Sequence, residues 1–189
     1  GNLVFTCCEL FDKKYENFVA MVKSKLRIPV KPKQTTVKKH LVNLTKIGHS
    51  FPVLKMQTIV ESIYTYLSSK SQVTSGVPSE PLIYSNGFFV ESTLMFSRID
   101  EDYPPHMYQV PESLIHHKKL FESWGVQEYP SEEFCYSVLK RLRLQTKKNQ
   151  ATLSPSDQQL ALYVIRLLCT KYDKSVRGSF ILTSASKLE

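Results

Sequence analysis

No stretch of this 189-residue chain approaches the roughly 18 uninterrupted apolar residues that a membrane-spanning helix requires, so no membrane span is expected. Glycine is scarce. Gly1, Gly48, Gly76, Gly87, Gly125 and Gly178 are all there are, and no two are spaced for GxGxxG or GxxxxGK. That excludes the loops that cradle nucleotide phosphates, and no cofactor is expected. A GxSxG nucleophile elbow is also missing. Cysteine is limited to Cys7, Cys8, Cys135 and Cys169, without CxxC spacing; Cys135 and Cys169 fall inside apolar helical patterns. Free thiols in a reducing compartment follow, and with them a cytoplasmic setting. The front lacks a basic region running into an apolar core, so no secretory signal is read. With no initiator methionine and a closing Leu188-Glu189 that resembles a cloning scar, the chain reads as a piece of a longer protein.

Acidic residues are absent over a long span. Between Glu16 and Glu61 there is none, and residues 1–55 hold 11 Lys/Arg against 3 Asp/Glu. The formal charge of the whole chain is +8, so the entire excess lies at the front. Lys23, Lys25, Arg27, Lys31, Lys33, Lys38 and Lys39 form its densest part, a candidate docking surface for an acidic protein partner. The same residues could neutralise phosphates, which makes a basic nucleic-acid-binding module the alternative reading. Aromatic residues are not interleaved with these charges, so a solvated face or an acidic protein partner is preferred over nucleic acid.

Hydrophobic periodicity predicts an α+β fold, mostly helical, with a small antiparallel sheet between two helical segments. Phe11, Tyr15, Phe18, Val19, Val22 and Leu26 make one helical stripe, with Asp12 near its start, and Pro29 and Pro32 end it. A second helix carries Val37, Leu41, Leu44 and Ile47, capped by Thr36 and closed by Gly48. A third, from Lys55 to Ser69, places Met56, Ile59, Val60, Ile63 and Leu67 on one face. Asn86-Gly87 between two β-prone runs is the signal of a two-residue hairpin turn. Glu112 to Trp124 is read as a helix ending at Gly125. Ser131 opens another, bearing Phe134, Val138, Leu139 and Leu142. Ser154-Pro155-Ser156-Asp157 combines an N-cap with a first-turn proline and starts the last, with Leu160, Val164, Leu167 and Leu168 inward. One domain over 1–189 is expected: a helical front at 9–70, a loop at 70–80, a β segment at 81–111, a helical end at 112–172 and a flexible tail at 173–189.

The stretch most suggestive of chemistry is LIHHKKLFESWGV, residues 114–126. Metal ligands on a helix need i,i+3 or i,i+4 spacing to share a face, whereas His116 and His117 diverge by about 100°. His117 falls among Leu120, Phe121 and Trp124, so it is read as a core histidine donating to a backbone carbonyl. Asp100, Glu101, Asp102 and His106 share a loop, but calcium-loop spacing is missing and a solvated turn is expected. Neither stretch supports an enzyme.

A series of packing and turn positions remains. ELFDKKYENF, VKKHLVNLTKIG, QTIVESIYTYL, PLIYSNGFFVEST, YPPHMYQVPESL and LFESWGVQEYPSEEFCYSVLKRL follow one another between Glu9 and Tyr172. In this order they resemble the sacsin repeat family of giant chaperone-like proteins, in a part outside its GHKL-type nucleotide-binding module. The resemblance implies a non-catalytic, monomeric interaction or scaffold domain of a very large cytosolic co-chaperone acting in protein quality control. It also implies ties to mitochondria and the cytoskeleton. The partners it implies are the cytosolic heat-shock chaperone, the proteasome and other parts of the same chain. No catalytic residue is carried over.

Overall fold

A computed structural model describes residues 3–7, 32–70, 76–149 and 152–172, with backbone alone at 148 and 149. The expected helix over Phe11–Leu26, residue Cys8 and the tail at 173–189 lie outside the described residues. The described chain is α+β and mostly helical, with five helices and a small antiparallel sheet. Its residues group into two compact units: 1–95 with 110–126, and 96–109 with 127–189. The expected β segment is therefore divided between units, and the helical stretch after Pro111 belongs with the front of the chain.

In the first unit, α1 (Gln34–Ile47) leads through a 3₁₀ turn (Gly48–Ser50) into α2 (Val53–Ser68). The cap of α1 is Lys33, not Thr36, which sits inside the first turn. Gly48 does not close the helix in a left-handed conformation; its φ of −56° continues the chain into the 3₁₀ turn. Val37, Leu41 and Leu44 are buried as their spacing predicts, while Ile47 reaches solvent. His40 is fully buried. Its Nδ1 lies 2.5 Å from Thr6 Oγ1 and its ring meets Phe5 edge-on, tying residues 3–7 to α1.

On α2, Met56, Ile59, Val60, Ile63 and Leu67 form the expected buried face, which also takes in Tyr64. The hairpin follows: β1 (Ile83–Ser85) pairs antiparallel with β2 (Phe88–Val90), Ser85 opposite Phe88. Asn86 and Gly87 both take positive φ, 50° and 97°, the geometry for which Asn-Gly is suited. The Tyr64 hydroxyl locks this strand to α2, donating to Leu82 O at 2.8 Å and accepting from Tyr84 N–H at 3.0 Å. Burial raises its pKa well above that of an ordinary tyrosine.

The stretch expected as one helix from Glu112 is a six-residue 3₁₀ turn (Glu112–His117) followed by α3 (Lys118–Ser123). α3 ends in a Schellman arrangement. Val126 N–H reaches Phe121 O and Gly125 N–H reaches Glu122 O, each at 3.0 Å, with Gly125 at φ 98°.

In the second unit, Phe96 of β3 (Met95–Phe96) and β4 (Tyr108–Gln109) precede α4 (Glu132–Asn149) and α5 (Pro155–Lys171), which pack together. The core joins Phe96, Tyr103 and Met107 to Val138, Leu139 and Leu142 of α4 and to Leu160, Val164 and Leu168 of α5. Leu167 is only partly buried. The expected Ser154 cap is formed, and Ser131 caps α4 as well. Ser131 Oγ accepts from Phe134 N–H at 3.2 Å. Ser154 Oγ accepts from Asp157 N–H at 3.1 Å and donates to its carboxylate at 2.7 Å, with Pro155 in the first turn. Cys135 is a buried free thiol, its pKa raised by burial to about 11. Cys169, expected inside the apolar pattern of α5, is instead an exposed free thiol on the opposite face.

Candidate functional site

The histidine pair resolves into one packed and one exposed ring. His117 is 3% exposed, while His116 faces solvent. The partner of His117 is not a backbone carbonyl. Its Nδ1 shares a 3.0 Å hydrogen bond with Ser68 Oγ in the last turn of α2, and its Nε2 is buried without a partner. Tyr64 and Phe121 meet the ring edge-on at 5.7 and 6.0 Å. Trp124 extends the same cluster, 5.9 Å from Phe121. Adjacent residues diverge even further in a 3₁₀ turn than in an α-helix, yet the two imidazoles come within 3.9 Å. Side-chain rotation closes what backbone geometry separates. Burial, then the neighbouring His116, pushes the His117 pKa down to about 4. The ring is held neutral in an aromatic shell.

The acidic loop of the second unit is occupied with its own backbone. Asp102 Oδ1 accepts from Gln109 N–H at 2.6 Å, and Glu101 accepts from the Tyr103 hydroxyl at 2.9 Å. Tyr103 and Met107 exchange backbone hydrogen bonds across the turn. Asp100 and Glu101 are exposed, but His106 is buried rather than solvated, and burial followed by Arg141 lowers its pKa. Among the described residues no three His, Cys, Asp or Glu side chains converge as a metal site.

Of the basic residues singled out in the sequence, Lys23, Lys25, Arg27 and Lys31 lie outside the described residues. Lys33 precedes α1 and Lys39 lies within it, both exposed. Lys38 is half-buried, and burial lowers its pKa.

A different feature of the first unit has the form of a binding site. Three segments enclose an open cavity of about 320 Å³. Gln57, Val60 and Glu61 come from one face of α2, at the i, i+3, i+4 spacing that stacks side chains together. Tyr84, Ser85 and Asn86 come from the end of β1 and the hairpin turn; Pro111, Ser113 and Leu114 come from the start of the 3₁₀ turn. The volume lies at the lower end of the roughly 300–1,000 Å³ usual for ligand pockets. Val60, Pro111 and Leu114 give it an apolar wall, and among the described lining residues Glu61 is the one with a full charge.

Ser85 is the unusual member of that lining. It is 1% exposed, and its Oγ has no hydrogen-bond partner. A buried hydroxyl left unpaired costs about 1–3 kcal/mol, so such groups are rare and call for a reason. Sequence reasoning did not single out this site, although one signal was present. Ile83 and Ser85 fall on the same face of β1 by its two-residue alternation, which puts a polar side chain where the pattern calls for an apolar one.

No protein-family model, curated protein or solved structure matches this chain.

Proposed function

We propose that this chain is a non-catalytic protein-interaction domain, a scaffold piece of a very large cytosolic co-chaperone engaged in protein quality control. The ordered series of packing and turn motifs from ELFDKKYENF to the helix at Glu132 supports that parentage. The observation that carries the interaction reading is the open cavity of the first unit, whose described lining sets the exposed Glu61 beside the apolar Val60, Pro111 and Leu114. His117, the residue that most invites a chemical role, instead supports the packing between α2 and the 3₁₀ turn.

The partners proposed are the cytosolic heat-shock chaperone and the proteasome. A titration of the chain with each, purified, tests this. Saturable binding to at least one is expected, undiminished by repurification and without nucleotide turnover by the chain itself. Binding instead to DNA or RNA, falling steeply between about 50 and 200 mM salt, would replace this reading with the nucleic-acid-binding alternative.

A further inference from the structure

We propose that Tyr129 is a phosphorylation site, taking the γ-phosphoryl group of ATP from a protein-tyrosine kinase into a cradle formed by Arg98 and Lys171. The inference goes beyond the interaction reading and concerns the second unit, which holds all three residues. Tyr129 stands in the non-helical stretch leading into α4, half-buried, with Gln127 and Glu128 exposed beside it. The backbone on either side of it is fixed. Ser97 N–H donates to Gln127 O at 3.0 Å and Arg98 N–H to Glu128 O at 2.9 Å, while the Tyr172 hydroxyl donates to Pro130 O at 2.7 Å. The phenol is therefore presented at a defined place beside Arg98 and the end of α5.

Two cations converge on this one phenol. Lys171, exposed in the last turn of α5, holds its Nζ 3.0 Å from the centre of the Tyr129 ring. Its ammonium pairs with no carboxylate among the described residues. The exposed Arg98 reaches the same side chain: the Tyr129 phenol first, and Glu128 second, hold the guanidinium pKa above its usual value. Its ion pair with Glu128 spans 2.9 Å. A neutral phenol makes little use of two full charges, since a cation over an exposed ring contributes only about 0.5–1 kcal/mol. A phosphotyrosine in the same place carries a charge of about −1.5 to −2 and three acceptor oxygens. Those are the groups that an arginine fork and a lysine ammonium bond most strongly. Added negative charge at Tyr129 is thus matched before it arrives. In the transfer, the Tyr129 hydroxyl oxygen attacks the γ-phosphorus of ATP. The new O–P bond replaces the one to the β,γ-bridging oxygen, ADP leaves, and the phenolic proton passes to a base of the kinase.

The full chain, incubated with a purified protein-tyrosine kinase of broad specificity and MgATP, tests the assignment by mass spectrometry. A free peptide covering residues 124–134 serves as control for the kinase. Phosphate on Tyr129 of the folded chain is expected, and Tyr129→Phe removes it. ³¹P NMR of the phosphorylated chain then reads the cradle, with the Tyr129 signal identified by its loss in Tyr129→Phe. The second pKa of the phosphoester, about 6 when free, should fall by about 0.5 or more beside the two cations. Arg98→Gln and Lys171→Gln, both exposed changes, should each reverse part of that fall, and together bring the value to that of the phosphopeptide. A folded chain in which Tyr129 takes no phosphate, whether or not the peptide does, overturns the inference. A second pKa equal to the phosphopeptide's in the unsubstituted chain overturns it too, as does a fall that persists in the double variant. Chaperone or proteasome binding is read separately, so either result leaves the interaction reading to its own test.

Discussion

Acid should weaken this fold through His117 more than through an ordinary histidine. The ring is 3% exposed, bonded at Nδ1 to Ser68 and unpartnered at Nε2, so a second proton would sit in an aromatic shell with nothing to receive it. Burial and the adjacent His116 hold its pKa near 4, against 6.5 for the unfolded chain. Above about pH 6.5 both states are neutral and the stabilisation is complete. As the pH falls from there towards 4, the unfolded chain binds a proton that the folded chain refuses. Stability then declines by up to about 1.4 kcal/mol per pH unit. Between pH 7 and pH 5 the loss sums to about 2 kcal/mol. Urea unfolding followed by the fluorescence of Trp124, the only tryptophan and part of the same cluster, reads this directly. His117→Gln keeps a polar group near Ser68 but cannot be protonated, so its stability should decline by about 2 kcal/mol less over the same interval. Equal declines in the two proteins would refute the reasoning. So would an NMR titration placing the His117 pKa at its ordinary 6.5.

Two other substitutions probe how the first unit is held together. Tyr64→Phe leaves the Leu82 carbonyl and the Tyr84 N–H without the hydroxyl that joins them to α2. A loss of about 2–3 kcal/mol in urea unfolding is expected, since buried groups are stranded on both sides. Gly125→Ala forces a side chain into φ 98° and brings its Cβ within 2.9 Å of Val77 Cγ2. The exposed Val77 can yield, so the strained backbone dominates and the expected cost is about 1–2 kcal/mol.

What the sequence disclosed was the part of the structure governed by short-range rules. The α2 face, the Asn86-Gly87 turn and the Ser154 cap each depend on a few neighbouring residues, and each formed as expected. Failures came where distant residues decide. Thr36 has the right chemistry for a cap, but the chain enters α1 one turn earlier at Lys33. The 112–124 stretch has helical periodicity throughout, yet its first six residues wind as a 3₁₀ turn whose His117 ring packs against Tyr64 and bonds Ser68 of α2. His40 lies in a helix rich in lysine, and the approach of Phe5 and Thr6 is part of what covers it. The cavity was hidden for the same reason. Glu61, Ser85 and Ser113 stand far apart in the chain, and nothing local announces that α2, the hairpin and the 3₁₀ turn bring them together.

The central claim is that this chain works by binding other proteins, and one equilibrium titration tests it most directly. The full chain is titrated with the purified cytosolic heat-shock chaperone and, separately, with the proteasome, at about physiological ionic strength, where weak surface charge attraction is largely screened. Saturable binding with a defined stoichiometry to at least one of them is the predicted result. The absence of saturable binding to both would contradict the account.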